Sequence, residues 1–321
     1  MSAVLTTDAL ELHHDTPRGA LRAVDGISLT IDKGETLGLV GESGCGKSTL
    51  ARCIVGIQQP TGGQLEIEGV RPGKGRAMRL ERARNVQMIF QDPSGALNPR
   101  LTVERIITEP LQVAGIGSRA SRKEAVLEIA KKVGLSAYHL ERMPHELSGG
   151  QRQRVSIARA LVLNPNLLVC DEAVSALDVS VQAQVLNLLL DLQKELGLSY
   201  LFISHDLAVV RYISDRIAVM YLGRIVELGR AEDVWAGRLH PYTQALVNAI
   251  PDEAARTEDA PILEGDVPSP VNPPSGCPFR TRCPHARAAC AETRPELRLV
   301  GTHEVACHFA EEIGAQVAAG H

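Results

Sequence analysis

No apolar run in the 321-residue sequence approaches the roughly 18 residues that a membrane span requires. Nor is there a long block of one charge sign: 34 Lys and Arg stand against 38 Asp and Glu, for a formal net charge of −4. A general nucleic-acid or membrane-surface binder would carry a concentrated basic patch, so both classes are disfavoured. The N-terminus, "MSAVLTTDALELHH", lacks the basic segment followed by an apolar one that marks a signal peptide. These absences predict a cytosolic protein, which leaves room for a membrane partner. Aromatic residues are few (four Phe, five Tyr and one Trp), and none precedes Phe90. No internal repeat is visible.

The sequence does contain enough apolar residues, 44%, for a proper core, and enough length for one large domain and a smaller one. From about Leu10 to Ile250 short apolar runs alternate with amphipathic segments, which predicts an α/β fold. "TLGLV" (Thr36–Val40), "VQMIF" (Val86–Phe90), "LLVC" (Leu167–Cys170) and "YLFIS" (Tyr200–Ser204) read as parallel strands buried on both faces. Composition changes between Asp92 and Leu147, where "SRKEAVLEIAKKVG" is charged and helical in period, so a helical subdomain is expected over about 92–158. Over Val179–Leu196 the residues Val181, Val185, Leu188, Leu192 and Leu196 form one stripe, closed by Gly197. "RIAVMYLGRIVELG" predicts a hairpin turning near Gly223. Five prolines between Pro261 and Pro274 mark a linker or extended wrap, and the boundary is placed between 1–255 and a small cysteine-rich extension, 256–321.

"GESGCGKS" fits G-x-x-x-x-G-K-[ST] and lies between an expected strand and an expected helix. Gly41, Glu42, Ser43, Gly44, Cys45, Gly46, Lys47, Ser48 and Thr49 would form a phosphate cradle. The glycines let backbone amides turn inward around phosphate oxygens, Lys47 adds charge at the β- and γ-phosphates, and the Ser48 hydroxyl can reach Mg²⁺. "LLVCDE" delivers Asp171 to the carboxyl edge of the sheet, where it can hold Mg²⁺ through water. Glu172 follows as the candidate base for an attacking water. Ser148 and Gln151 in "LSGGQRQRVSIARAL" have capping-box spacing, so a helix should start after Ser148 and run to about Leu163. Gly149 and Gly150 would leave bare amides at its positive end.

That last stretch resembles the signature of ABC-type ATPases. The other family motifs follow in order: Gln91 in "QMIFQDP", Asp171–Glu172, "SALD" (Ser175–Asp178) and His205 in "ISHD". The resemblance covers roughly the first 250 residues and implies a P-loop NTPase core of the ABC type that hydrolyses ATP with Mg²⁺. It also implies that ATP is bound between two ATPase domains, with Ser148, Gly149, Gly150 and Gln151 serving the facing subunit. By the same resemblance Glu172, His205, Gln91 and Lys47 are catalytic, His205 contacts the γ-phosphate, and Ser48, Gln91 and Asp171 attend to Mg²⁺. The family usually stacks an aromatic ring on adenine. In its place the sequence offers His14 or, second, His13, so base selectivity should be weak.

"CDEAVSALDVSVQAQVLNLL", "QMIFQDPSGALNPRLTV" and "HPYTQAL" resemble the ATPase subunits of dipeptide/oligopeptide importers in particular. The implied partners are a sister ATPase in a heterodimer, two integral permease subunits and, through them, an extracytoplasmic peptide-binding protein. The implied place is the cytoplasmic face of the cell membrane, with a permease helix docking beside Gln91 near Pro93–Pro99. Importers of nickel or other solutes share this core and are an alternative. A soluble ABC ATPase in DNA repair is a remoter one, because the chain has one cassette and no basic patch.

Seven cysteines without an export signal point to thiols or metal ligands. Cys45, Cys53 and Cys170 read as small core residues, with Cys45 open to blocking by alkylation. Cys277, Cys283, Cys290 and Cys307 are separated by five, six and sixteen residues, without the close C-x₂₋₄-C pairs usual for Zn²⁺. Iron–sulfur clusters tolerate wider spacing. Because the resembling importers include members with a [4Fe–4S] cluster on such an extension, a cluster is expected, with Zn²⁺ and free thiols or disulfides as alternatives. His285 and His308 are possible substitute ligands, and Arg280 and Arg282 would offset the charge of a thiolate cluster.

Overall fold

The computed structural model describes residues 2–73, 75–250 and 265–319. Its strands are β1 (Ala3–Thr16), β2 (Gly19–Asp32), β3 (Thr36–Val40), β4 (Gly62–Ile67), β5 (Val86–Ile89) and β6 (Leu167–Asp171). They continue with β7 (Ser199–Ser204), β8 (Arg216–Tyr221), β9 (Arg224–Arg230), β10 (Arg298–Val300) and β11 (His303–Val305). An antiparallel sheet has the order β2–β1–β4, and a larger mixed sheet runs β10–β11–β9–β8–β3–β7–β6–β5. The four apolar runs lie where the sequence predicts them, and β3, β6 and β7 are buried at every residue.

Alternate residues of the central strands face opposite ways, as strand geometry requires. Leu168, Cys170, Tyr200 and Phe202 pack with the helices on one side. Leu167, Val169, Leu201 and Ile203 pack with the antiparallel sheet and the helix Lys47–Val55 on the other. Gly38 sits mid-strand for a steric reason: a Cβ there would lie 2.2 Å from Val210 Cγ1, on the helix Leu207–Ile213.

The insertion is helical, with helices at Val103–Val113, Arg119–Lys132 and Gly149–Leu161 and shorter turns between them. Ile106, Ile107, Val126, Ile129 and Val155 share its apolar interior. The helix after Ser148 stops at Leu161, two residues before the expected end. The helix Val179–Leu196 ends at Gly197 (φ 65°) as expected, but its buried face is Val185, Leu186, Leu189 and Leu192. Val181, Leu188 and Leu196 are only half-buried, so the stripe is rotated from the one read in sequence.

The β8–β9 hairpin turns through Leu222 (φ 43°) and Gly223 (φ 78°), the left-handed pair that suits the twist of flanking strands. The boundary at 255/256 and Pro261 lie outside the described residues. Beyond them, the proline segment lies on the first hairpin, where the Arg22 amide donates to Pro270 O at 3.3 Å. β11 then pairs antiparallel with β9 (Glu304↔Leu228, Val305↔Glu227), so the extension continues the main sheet.

Candidate nucleotide-binding site

β3 delivers the chain to Gly41, and the helix Lys47–Val55 takes it away; the loop between them admits no side chain at two points. A Cβ on Gly41 would lie 2.2 Å from Met220 O, and one on Gly46 2.0 Å from Ala23 O. Lys47 is buried, and its Nζ donates to Gly41 O (2.7 Å) and Glu42 O (3.0 Å), which fixes the ammonium at the mouth of the loop. Backbone amides at a helix N-terminus together with this charge make an anion site.

Ser48 Oγ donates to Asp171 Oδ1 at 2.9 Å, joining the loop to the end of β6. Burial pushes the Asp171 carboxyl above its ordinary value; the Ser48 bond opposes this and the neighbouring Glu172 adds to it. A hard divalent cation, which takes oxygen ligands, fits this pair of donors and would offset the repulsion between the two acids.

Glu172 adopts φ 49°, a left-handed conformation that is strained for a side-chain-bearing residue and recurs at functional sites. Its Oε2 accepts from Gln91 Nε2 at 2.7 Å and lies 3.5 Å from His205 Nδ1. Gln91, Glu172 and His205 thus meet from just beyond three neighbouring strands, β5, β6 and β7. With Gly46, Lys47 and Ser48 they line one cleft of about 540 Å³. Ser175 Oγ donates to Glu172 O at 3.0 Å, tying the "SALD" turn to the same acid.

The cleft is also lined by Leu21, Ala23 and Pro270, none of which the sequence reading anticipates. Pro270 comes from the extension, and no local pattern connects it to the phosphate loop. His14 is not among the lining residues. It lies directly across from Leu21 in the β1–β2 register, on the same face, and flanks the cleft. His13 is engaged elsewhere, with Nε2 3.2 Å from Asp25 Oδ1. Cys45 is buried beside Lys47, and burial pushes its thiol up while Lys47 opposes the shift.

The capping box is present: Ser148 Oγ accepts from the Gln151 amide (3.3 Å), and Gln151 Oε1 accepts from the Ser148 amide (2.9 Å). Gly150 also has a packing role, because a Cβ there would lie 2.6 Å from Val181 Cγ1. Gly149 has no such neighbour; the nearest atom is Leu177 Cδ2 at 3.6 Å. Ser148, Gly149, Gly150 and Gln151 are not among the lining of the phosphate cleft.

Residues 24–175 match the ABC transporter family, and residues 226–290 match the oligopeptide/dipeptide transporter C-terminal region. The oligopeptide transport ATP-binding protein OppF of Escherichia coli is 53% identical over 300 residues, spanning 91% of this chain and 89% of its own length. OppF of Salmonella typhimurium is 50% identical over 316 residues, 93% of each chain. The chain belongs to the ABC transporter family. Among solved structures, cbiO1 of Clostridium perfringens, part of the cbiONQ transporter, superposes with a TM-score of 0.67 at 27% identity, over 79% of this chain and 98% of its own. The cassette MJ0796, solved as a dimer with ADP and Pi after hydrolysis, gives 0.64 at 28% identity, over 71% and 98%.

In this ABC subunit all seven cysteines are free thiols, and the four of the extension are neighbours. Cys277 feels the charge of Cys290, and Cys283 feels those of Cys307, Cys277 and Cys290. Burial raises all three thiols that shift, Cys283 to about 12 and Cys307 to about 11. Amides two residues on, from Phe279, His285 and Phe309, donate toward Cys277, Cys283 and Cys307. Even so, among the described residues no group of three or more His, Cys, Asp or Glu is gathered closely enough to hold a metal ion as it stands. His308 Nε2 is 3.0 Å from Thr293 O, so that ring has a partner within the chain. The Arg282 guanidinium, next to Cys283 in the chain, is bound to Glu42.

The extension is anchored by two buried features. Phe279 packs among Tyr221, Tyr242 and His240, with ring centroids 5.2–5.5 Å apart. His303 Nε2 lies 2.7 Å from Glu227 Oε1, and the same carboxylate accepts from the amides of Leu239 (2.8 Å) and His240 (3.1 Å). Among the described residues no helix is long and apolar enough to cross a membrane.

Proposed function

We propose that this chain is the ATP-hydrolysing subunit that energises import of di- or oligopeptides through a membrane permease. One observation carries the catalytic part: Gln91 and His205 converge on the Glu172 carboxylate beside Lys47 and Ser48. The loop amides and Lys47 bind the phosphates. Ser48, Gln91 and Asp171 are the residues that would hold Mg²⁺, which would neutralise charge building on the phosphate oxygens. Glu172 takes a proton from the attacking water as its oxygen bonds to the γ-phosphorus and the bond to the β-phosphate oxygen breaks, leaving ADP and phosphate. His205 orients the γ-phosphate and water.

The signature residues Ser148–Gln151, absent from this chain's own cleft lining, suit the nucleotide of a facing subunit. We assign that subunit as a sister ATPase, so that ATP binding closes the pair and hydrolysis reopens it. The working place is the cytoplasmic face of the membrane, with the permease docking at Pro93–Pro99. Residues 1–255 form the ATPase domain and 256–321 the extension. The identity with proteins named for oligopeptide transport, together with the C-terminal family match, supports a peptide cargo.

We infer in addition that Cys277, Cys283, Cys290 and Cys307 hold a [4Fe–4S] cluster. The neighbourhood of four thiols, three of them facing an amide, supports it. Their wide sequence spacing, without the close C-x₂₋₄-C pairs usual for Zn²⁺, favours a cluster over Zn²⁺.

One preparation tests both readings. The chain is purified anaerobically with its sister ATPase and permease and placed in vesicles. Hydrolysis should rise when peptide-loaded binding protein is added, and the sample should contain iron and acid-labile sulfide with little zinc. Stimulation by nickel-loaded but not peptide-loaded binding protein would overturn the cargo. Zinc without sulfide would overturn the cluster.

A further inference from the structure

We propose that Arg282, in the cysteine-rich extension, is a positioning residue for ATP: it neutralises Glu42 and holds the phosphate loop in its binding shape. The proposal rests on the reading of the cleft as an ATP site and adds to it a residue outside every cassette motif. Arg282 Nη1 donates to Glu42 Oε2 at 2.6 Å and Nη2 to Oε1 at 3.0 Å, a two-pronged bond of the kind guanidinium makes with carboxylate. The Arg282 side chain is 4% exposed and that of Glu42 25%, so the bond is partly shielded from competing water and salt.

Glu42 is held from two sides at once. Its amide donates to the Tyr242 hydroxyl at 2.7 Å, and Tyr242 is fully buried against Tyr221 and Phe279. Phe279 also sets the position of Arg282, because the Arg282 amide donates to Phe279 O at 3.0 Å. One short turn of the extension therefore supplies an aromatic anchor and a charged fork, both bearing on the second residue of the phosphate loop.

The electrostatic need is plain. Glu42 places a carboxylate in a loop built to receive the negative charge of a nucleotide. Lys47, the cation meant for the phosphates, already bonds the Glu42 carbonyl at 3.0 Å. Without Arg282, the carboxylate would repel the phosphates and compete for Lys47. Neither Arg282 nor Glu42 is among the cleft lining, so the pair acts through the shape and charge of the loop and not by touching the nucleotide.

The test uses the full-length chain for ATP binding by equilibrium dialysis, and the assembled transporter for KM and kcat. R282Q should weaken ATP binding about tenfold, the size expected for losing a charge-assisted hydrogen bond. KM should rise while kcat stays near wild type, and R282K should recover part of the loss. The double variant E42Q/R282Q should bind ATP better than R282Q, because the uncompensated carboxylate is gone. A double variant as weak as R282Q would mean that Arg282 merely holds the extension, and would overturn the proposal, as would R282Q binding like wild type. Should R282Q not fold, R282K decides: a raised KM at unchanged kcat supports the proposal, and an unchanged KM overturns it. A wild-type chain that binds no ATP would overturn the nucleotide reading itself, a result distinct from failure of Arg282 alone.

Discussion

The phosphate cleft takes its residues from the carboxyl ends of parallel strands, whereas the extension takes its shape from a few side-chain bonds between remote residues. In the cleft, the register Ile89↔Cys170, Asp171↔Ile203 and Val40↔Ser204 aligns the strand ends. That alignment is backed by strands buried on both faces, so Gln91, Glu172 and His205 are placed by the core itself. Among its described residues the extension has strands of three residues and helices of four and ten. Its ion pairs Arg287–Glu312 and Arg298–Glu311 are largely exposed and worth little. Its buried contacts are Phe279 in its aromatic cage, the Glu227–His303 and Arg282–Glu42 pairs, the apolar cluster of Leu239, Val305 and Ala310, and the thiols. The two regions should therefore fail differently: chemistry is lost from the cleft without unfolding, and folding is lost from the extension without touching the base.

The largest expected effect is on chemistry. Glu172→Gln should lower ATP turnover by about 10²–10⁴-fold, the usual contribution of a positioned general base, while ATP binding and thermal stability stay near wild type. Turnover is measured in the assembled transporter and binding on the chain alone. A loss of activity matched by a loss of folding would break the comparison, because it would make Glu172 a structural residue.

Next in size is Glu227→Ala. The carboxylate is fully buried, and its removal strips the acceptor from the His303 ring and from two amides. Breaking such a buried set should cost about 3 kcal/mol. Hydrogen exchange should show β10 and β11 losing protection while β3, β6 and β7 keep theirs. Equal loss across both sets would mean that the extension and the cassette unfold as one unit.

The difference between the regions also explains what was legible in the sequence. A buried parallel strand leaves a continuous apolar run, and a phosphate loop leaves a glycine spacing, so β3, β5, β6, β7 and the residues at their ends that line the cleft could be read residue by residue. The capping box at Ser148 is equally local. The rotated face of the helix Val179–Leu196 was less accessible, because leucines occupy several sides and only the packed partner decides between them. Arg282 and Pro270 left no sequence signal: each matters through contact with a segment more than 200 residues away, and contact at that range has no period. The cysteines announced themselves by type, yet their geometry depends on the wrap of the extension around β9.

The smallest expected effect concerns the base. The aliphatic part of the cleft wall includes Leu21, Ala23 and Pro270, with His14 beside Leu21 but outside the lining. A base stacked on a ring loses about 1–3 kcal/mol when the ring is removed. An aliphatic wall offers contact area with no ring to match the base, so ATP and GTP should bind with similar affinity. His14→Ala should then weaken ATP less than Leu21→Ala does, and neither substitution should change the ATP-to-GTP ratio much. If His14→Ala costs the full stacking increment and Leu21→Ala costs little, the imidazole swings over the base when nucleotide binds. The base end of the cleft would then be built by the first hairpin alone, with no contribution from the extension.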